Sequence, residues 1–227
     1  MNRNLVITID GPAGAGKSTV GKTLAEEISY VYLDTGALYR GVAYRARQEA
    51  IMSNDVEGLS RLCGKITIKV KPVGTNVRII VDGDDVTDKI RTEEMGFFAS
   101  QISAVPVVRE RLLSLQQEIG RTGGVVAEGR DMGTVIFPHA DIKFYLIADV
   151  NERARRRYRE LIERGENVEF TEIQRSLSAR DQQDSGRSVA PLMAAEDAII
   201  IDSTALDITG VVSAMKRIIS ERSGNGL

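Results

Sequence analysis

The sequence contains very few of the side chains that build disulfides, zinc sites and histidine-based catalytic pairs. Its 227 residues include no tryptophan, one cysteine, Cys63, and one histidine, His139. A lone cysteine cannot form an intramolecular disulfide or a cysteine-ligated zinc site, so we expect a reducing compartment, no structural metal and a Cys63 that packs in a core. His139 follows Pro138 in a predicted loop, and we interpret it as a surface residue rather than a catalytic base.

The chain also lacks an excess of either charge and any long hydrophobic run. Its 30 basic and 32 acidic side chains give a net charge of -2, which argues against a nucleic-acid-binding footprint over the whole surface. No stretch approaches the ~20 apolar residues of a membrane span, and we find no secretion signal. We therefore expect a cytoplasmic monomer of one domain that binds neither nucleic acid nor a membrane.

What the sequence does contain is a complete phosphate-binding motif. The stretch GPAGAGKST follows the apolar run Leu5–Ile9 directly and matches G-x-x-x-x-G-K-[ST]. Its glycines allow a tight loop whose backbone N–H groups, at the start of a helix, favour an anion. Lys17 can reach the β- and γ-phosphates of ATP, and the Ser18 hydroxyl is placed to hold Mg²⁺. The predicted ATP-binding residues are Gly11, Pro12, Ala13, Gly14, Ala15, Gly16, Lys17, Ser18 and Thr19.

Short apolar strands alternate with helical patterns along most of the chain. The predicted strands are Leu5–Ile9, Val31–Leu33, Val125–Ala127, Lys143–Ile147 and Ile199–Ile201. The predicted helices are Lys17–Ile28, Ala37–Glu49, Thr92–Ala104, Val107–Ile119, Asn151–Arg164, Thr171–Gln182 and Ile208–Glu221. This alternation is typical of a parallel sheet covered by helices on both faces, so we predict a three-layer α/β sandwich.

One interval breaks the alternation. Ile66–Val70 and Val77–Val81 alternate apolar with polar residues around the turn Pro72–Asn76, which predicts a small antiparallel unit inserted into the α/β domain. At the other end of the chain, the glycine-containing segment Ser223–Leu227 shows no apolar periodicity and is expected to be frayed.

Two charged clusters follow predicted strands, at the sheet edge where α/β proteins bind ligands. In LDTGALYR, Thr35 and Arg40 lie at this edge, and Arg40 can hold a second phosphate. A helix cap with a surface arginine fits the same spacing. In EGRDMG, Arg130 can clamp an acceptor phosphate and Asp131 can accept hydrogen bonds. A buried salt bridge between these two residues is the alternative.

A third cluster consists of arginines on the predicted helix Asn151–Arg164. Two pairs have the spacing of surface ion pairs, Arg156 with Glu160 and Arg159 with Glu163. Arg153 and Arg157 share a face and have no acid four residues further on. We therefore assign Arg153 and Arg157 to clamping the transferring phosphate. A solvated surface accounts equally well for about half of this cluster.

A fourth cluster has the spacing of one helix face. Arg180, Asp184 and Arg187 recur at positions i, i+4 and i+7, so they present a cation, an anion and a cation. That face suits the sugar and phosphate of a nucleotide, and a salt-bridged helix end fits the spacing as well.

Together and in this order, the motifs resemble the bacterial cytidylate kinases. The resembling segments are IDGPAGAGKST, LDTGALYR, IRTEE followed by ASQISAVPVVRERLL, EGRDMGTVIFP, and RDQQDSGRSVAPL to IIIDST. The resemblance implies a nucleoside monophosphate kinase fold in a single domain with three parts. These are a P-loop core (about 1–35, 120–150 and 190–227), an acceptor-binding region enlarged by the Ile66–Val86 insert (about 36–119) and a helical, mobile lid (about 151–189).

The resemblance also implies roles for individual residues. Lys17, Arg153 and Arg157 become catalytic, and the CMP-binding residues are Thr35, Arg40, Ser100, Arg109, Arg130, Asp131, Arg180, Asp184 and Arg187. Thr35 stands where many relatives have serine and keeps the hydroxyl. Asp131 can accept from the cytosine amine and Arg109 can donate to the ring oxygen and nitrogen, whereas uracil presents a carbonyl that a carboxylate repels.

The expected reaction is Mg²⁺-assisted, in-line transfer of the γ-phosphoryl group of ATP to CMP or dCMP. Two alternatives remain at this point. One is a P-loop kinase for UMP, AMP or another small metabolite, which the pairing of Asp131 with Arg109 disfavours. The other is a non-catalytic nucleotide-dependent switch, which lacks an N-K-x-D guanine-reading segment and leaves the arginine-rich helix without a use.

Overall fold

A computed structural model describes residues 4–223. The strands are β1 (Val6–Asp10), β2 (Val31–Asp34), β3 (Ile68–Val73), β4 (Asn76–Val81), β5 (Asp84–Asp85), β6 (Val125–Glu128), β7 (Ile142–Ile147) and β8 (Ile199–Asp202). The helices are α1 (Lys17–Glu27), α2 (Thr35–Gln48), α3 (Val56–Lys65), α4 (Glu93–Ile102), α5 (Pro106–Gly120), α6 (Val150–Glu163), α7 (Phe170–Ser185) and α8 (Ile208–Ser223).

Five parallel strands form the main sheet in the order β2-β6-β1-β7-β8, which confirms the predicted α/β architecture. Ile7 and Ile9 of the central strand are fully buried, as expected of a strand covered by helices on both faces. Because all pairings are parallel, the carboxyl ends of β1, β2 and β6 meet at one edge. Asp34 lies opposite Glu128 there, and Asp10 ends the neighbouring strand.

The loop after β1 requires glycine for a steric reason. Gly11 has φ 144°, and a Cβ added to it would lie 2.0 Å from the carbonyl oxygen of Leu146 on β7. Gly16, with φ 93°, closes the loop before α1 begins at Lys17. The phosphate-binding loop is therefore fitted tightly against the sheet.

The predicted insert is a three-stranded antiparallel sheet, β3-β4-β5, in which Ile68 pairs with Val81. The short strand β5 was not predicted. The insert also covers an edge of the main sheet, because the backbone N–H of Tyr32 in β2 donates to the Thr75 carbonyl at 2.8 Å. Such cover blocks unwanted strand pairing.

Helix α3 is missing from the sequence-based prediction, which was wrong here. Asp55 caps its first turn by accepting from the Gly58 N–H at 2.8 Å. Leu59, Leu62 and Cys63 are buried in a core that α3 shares with α2, α4 and α5, so Cys63 packs in a core as expected. Packing of this apolar face stabilises a ten-residue helix that contains two glycines.

A small separate core joins α6 and α7 to the phosphate-binding loop. Leu161 of α6 and Leu177 of α7 pack with Ala13 of the loop, and Tyr158 meets Phe170 edge-on with ring centroids 6.0 Å apart. Among residues 4–223, no helix combines the length and the apolar character needed to cross a membrane. The segment predicted to be frayed begins at Ser223, which is the last residue of α8. Residues 224–227 lie outside the described residues.

Candidate active site

A cleft of about 1560 Å³ opens along the carboxyl edge of the main sheet. It is lined by the phosphate-binding loop, the ends of β2 and β6, and helices α4, α5, α6 and α7. The structure brings these predicted residues together in its wall: Lys17, Ser18, Thr35, Arg40, Ser100, Arg109, Arg130, Asp131, Arg157, Arg180, Asp184 and Arg187. Of the predicted site residues, Gly11, Pro12 and Arg153 do not line it.

Three cations converge on the floor of this cleft, Lys17, Arg130 and Arg180. Lys17 is buried, and its ammonium donates to the Pro12 carbonyl at 2.8 Å. Burial and the charge of Arg130 lower the pKa of Lys17 to about 7, and the same two causes lower the pKa of Arg180 to about 10. Because Arg130 disfavours the charged forms of both Lys17 and Arg180, the floor of the cleft favours an anionic ligand.

A buried carboxylate, Glu128, faces the hydroxyl of the phosphate-binding loop. Its Oε1 accepts from Ser18 Oγ at 2.6 Å and from the Tyr32 hydroxyl at 2.8 Å. Its Oε2 is buried and has no hydrogen-bond partner in the structure. Burial is the main cause that raises the pKa of this carboxyl, and the charge of the neighbouring Asp34 raises it as well. The sequence analysis gave Glu128 no role, although its place at the end of the strand before Gly129 was a usable signal.

Asp131 pairs with Arg109 and not with Arg130, so the alternative of a bridge between Arg130 and Asp131 was wrong. Both members of the pair are buried, with 3% of Asp131 and 7% of Arg109 exposed. Arg109 also donates to the Ser103 carbonyl at 3.1 Å and lies 5.8 Å from the ring centre of Tyr39. The pair is thus held rigidly in one wall of the cleft.

Asp184 is the centre of a second ionic group. It accepts from Arg130 Nε at 2.7 Å and from Ser100 Oγ at 3.2 Å, and it pairs with Arg187. Helix α7 ends at Ser185, so Arg187 lies beyond the helix and the expectation of a single helix face was wrong for it. Arg187 lies three residues after Asp184 and still pairs with this buried carboxylate.

Thr35 and Arg40 lie in the first two turns of α2, at the carboxyl edge of the main sheet. The Thr35 hydroxyl is buried and donates to the Glu128 carbonyl at 2.7 Å, which joins β2 to β6. Arg40 donates to the Asp34 carboxylate at 2.5 Å. Arg40 therefore has a carboxylate partner that a phosphate would have to replace or share.

Arg153 is buried rather than free to clamp a ligand. It donates to the Ala13 carbonyl at 2.9 Å, the Ala148 carbonyl at 3.0 Å and the Asp181 carboxylate at 2.6 Å. The sequence argument counted acids on the same helix and missed Asp181, which lies on α7. Arg153, on α6, thereby connects α6 and α7 to the phosphate-binding loop.

Arg157 lines the cleft and is paired with two acids, Glu160 on its own helix and Glu93 on α4. The predicted bond between Arg156 and Glu160 is not formed. Arg156 instead bonds to Glu152 at 3.2 Å and to the Ser203 carbonyl at 2.6 Å. Spacing along α6 could not predict the contacts with Glu93 and Ser203, because these two residues lie on other elements.

Comparison with known proteins decides the family. A model of the cytidylate kinase family matches residues 7–221. The chain belongs to the cytidylate kinase family. A cytidylate kinase of Geobacter sp. (strain M21) is 46% identical over 222 residues, covering 98% of this chain and 95% of the relative. A cytidylate kinase of Geobacter sulfurreducens is 47% identical over 220 residues, covering 97% of this chain and 94% of the relative.

The cytidylate kinase fold also resembles that of P-loop kinases with other substrates. A gluconokinase from Sinorhizobium meliloti superimposes with a TM-score of 0.50 at 14% identity, covering 99% of this chain and 96% of that chain. At this identity the likeness concerns the fold alone. The family predicted from the sequence motifs and the P-loop kinase fold are both confirmed.

Proposed function

We propose that this protein transfers the γ-phosphoryl group of ATP to CMP or dCMP, giving CDP or dCDP and ADP. The observation that carries the proposal is the buried pair of Asp131 and Arg109, which lies in the cleft that also holds the phosphate-binding loop. We further propose that the protein acts as a monomer. Membership of the cytidylate kinase family favours this activity over the two alternatives.

On the donor side, the backbone of Gly11–Thr19 holds the ATP phosphates at the start of α1. Lys17 supplies a positive charge at the group being transferred, where negative charge spreads over the equatorial oxygens. Its position is fixed before the substrate arrives by burial and by the bond to the Pro12 carbonyl. A fixed charge of this kind stabilises the transition state without rearrangement.

The residues around Ser18 fit Mg²⁺. Among residues 4–223, no group of three or more acidic, histidine or cysteine side chains could hold a metal alone. A cation here therefore shares the phosphates of the nucleotide, as Mg²⁺ commonly does. Ser18 Oγ and the unpartnered, buried Oε2 of Glu128 are the oxygens that we propose for it. When bound, Mg²⁺ neutralises charge on the phosphates.

Glu128→Gln tests this assignment, because it keeps the shape of the side chain and removes its charge. We expect the gain in ATP affinity that Mg²⁺ provides to fall by about tenfold or more. Calorimetric titration with ATP, with and without Mg²⁺, measures this gain. The matched control is Glu166→Gln, which alters an acid lining the cleft on the lid. An unchanged gain in a folded Glu128→Gln protein would contradict the assignment.

On the acceptor side, the cytosine edge meets the buried ion pair. We propose that Asp131 accepts from the exocyclic amine of cytosine and that Arg109 donates to the ring oxygen and nitrogen, with Ser100 beside them. Asp184 and the two arginines nearest to it in the sequence, Arg180 and Arg187, take the ribose and part of the phosphate. The acceptor phosphate is held by Arg40 and Arg130, and Thr35 fixes the start of α2 beside them through its bond to the Glu128 carbonyl. This phosphate is largely ionised at neutral pH, so no base is needed to activate it.

The lid, about residues 151–189, supplies further positive charge to the transferring phosphate. We propose that, when the lid closes, Arg157 leaves its two acidic partners, Glu93 and Glu160, and contacts the transferring phosphate. Closure also excludes water from the reacting groups. Arg153 contributes through its bonds to Ala13 and Asp181, by which it holds the lid helices on the phosphate-binding loop.

Arg157→Ala is expected to lower kcat by about tenfold or more while the KM for CMP changes by less than about threefold. The reason is that a clamp contact made only in the closed complex stabilises the transition state more than the bound substrate. Steady-state kinetics with varied CMP separate the two constants. Arg155→Ala, on the same helix and outside the cleft, is the control. An unchanged kcat in Arg157→Ala would show that Arg157 does not act on the transferring phosphate.

An acceptor panel tests the proposed function as a whole. ADP release is measured with Mg²⁺, ATP and each of CMP, dCMP, UMP, AMP and GMP. We expect the highest kcat/KM for the two cytosine nucleotides and only slow ADP release when no acceptor is present. Equal or better use of a purine monophosphate would overturn the proposed acceptor.

A further inference from the structure

Asp10, the last residue of β1, is a buried carboxylate with no part in the reaction just described. Only 4% of its surface is exposed. One oxygen, Oδ1, accepts from the backbone N–H of Met132 at 2.8 Å, and Oδ2 accepts from the N–H of Gly133 at 2.8 Å. Both acceptors of this carboxylate are thus directed at two consecutive amides of another segment.

Those two amides belong to the segment that presents Asp131. Residues Met132–Ile136 form one π-helical turn, and Asp131 immediately precedes it. The Asp131 carbonyl accepts from the N–H of Val135 at 2.9 Å and from that of Ile136 at 3.2 Å. The backbone of Asp131 is therefore fixed by the turn that follows it, and Asp10 fixes the start of that turn to β1.

Gly11, the first residue of the phosphate-binding loop, follows Asp10 directly. A Cβ on Gly11 would collide with the Leu146 carbonyl at 2.0 Å, so this junction has little freedom to move. Gly133 is also closely packed, since a Cβ there would lie 3.1 Å from Lys143 Cδ and 3.2 Å from Thr8 Oγ1. Asp10 thus joins two rigid segments, one on the donor side and one on the acceptor side.

The chemistry of the side chain indicates that both acceptors are needed. The pKa of Asp10 is raised to about 7. Burial is the main cause and the charge of Asp131 adds to it, whereas the two amide hydrogen bonds and the charge of Lys17 oppose it. A neutral asparagine would be easier to bury at this position. Asparagine, however, has one acceptor and one donor group, so it can satisfy only one of the two amides and directs an N–H at the other.

We propose that Asp10 is a positioning residue for cytosine recognition, which holds Asp131 at a fixed place relative to the phosphate-binding loop. This inference rests on the proposed role of Asp131 as the group that accepts from the cytosine amine. Asp10 touches neither substrate in this account. It acts through the backbone of Met132 and Gly133.

The test compares Asp10→Asn, Asp131→Asn and the double variant by the ratio of kcat/KM for CMP to that for UMP. We expect Asp10→Asn to lower this ratio by about threefold to tenfold, mainly through a higher KM for CMP, with the KM for ATP changed by less than about twofold. In the Asp131→Asn background, Asp10→Asn should leave the ratio unchanged, because the group it positions is already altered.

A matched control is Asp141→Asn, because Asp141 Oδ2 accepts from the Val6 N–H at 2.8 Å at the other end of β1. This control should leave the ratio as in the unmodified protein. Thermal unfolding checks that each variant is folded, and Asp10→Ser, which keeps one acceptor in a smaller side chain, replaces Asp10→Asn if that variant does not fold. Failure of both to fold would overturn the proposal, because Asp10 would then be required for folding itself.

The outcomes separate this inference from the proposed function. If Asp131→Asn lowers the CMP-to-UMP ratio and Asp10→Asn does not, the positioning role is wrong and the role of Asp131 stands. An equal fall in the ratio on adding Asp10→Asn to Asp131→Asn would also overturn the positioning role. If Asp131→Asn leaves the ratio unchanged, the proposed recognition of cytosine fails, and the inference fails with it.

Discussion

Lys17→Ala lowers turnover by on the order of a hundredfold or more in a protein that remains folded, if Lys17 stabilises the transferring phosphoryl group. The expected loss is large because the charge is fixed in place before ATP binds, by burial and by its bond to the Pro12 carbonyl. The fold should tolerate the change, since burial and Arg130 already disfavour the charged form of Lys17 and lower its pKa to about 7. Removing this cation relieves repulsion on the floor of the cleft.

The measurement is kcat at saturating ATP and CMP, with thermal unfolding as the check on folding. Lys216→Ala provides the control, because Lys216 lies on α8 and forms an exposed ion pair with Glu27. Turnover of a folded Lys17→Ala protein within about twofold of the unmodified enzyme would show that this lysine does not act on the phosphoryl group.

Asp131→Asn is expected to weaken the preference for cytosine over uracil. We expect CMP to lose about 1 to 3 kcal/mol of transition-state binding, because the new amide directs an N–H at the cytosine amine. UMP is spared or improved, since its carbonyl can accept from that amide. The CMP-to-UMP ratio of kcat/KM then falls by about tenfold or more. Arg109 retains a partner in the Ser103 carbonyl at 3.1 Å, so the pocket keeps one of its fixed contacts.

A purely structural role for Asp131 gives a different result. Loss of the buried ion pair with Arg109 would then weaken both substrates by the same factor, and the ratio would not move. Asp197→Asn, which changes an exposed carboxylate paired with Lys143, controls for the general effect of the substitution. The ratio distinguishes the two roles even if Asp131→Asn is less stable than the unmodified protein.

The donor half of the site was predictable because it is local in sequence. The phosphate-binding loop needs its glycines, Lys17 and Ser18 within nine consecutive residues, and the apolar strand before it marks the sheet. The alternation of strands and helices likewise indicated the parallel sheet, with the predicted helix starts within two residues of those observed. Helix α3 was missed although Leu59 and Leu62 carry its apolar spacing, because Gly58 and Gly64 weaken the local signal.

The partners of the charged side chains could not be predicted in this way. Glu128 meets Ser18 because β6 pairs with β1, and strand order is a property of the whole fold. Asp181 meets Arg153 only where α7 packs on α6. Spacing along α6 selected Arg157, which lines the cleft, and Arg153, which does not. Spacing along one helix cannot show whether an arginine faces a ligand or an acid on another element.

The most direct measurement of the central claim follows the γ-phosphorus of ATP itself. ATP labelled at that position is incubated with Mg²⁺, CMP and the protein, and the labelled products are separated. The account predicts that the label appears in the β-phosphate of CDP, with one ADP formed for each CDP and little labelled inorganic phosphate. Label that stays in ATP, or that is released as inorganic phosphate at the same rate with and without CMP, would contradict it.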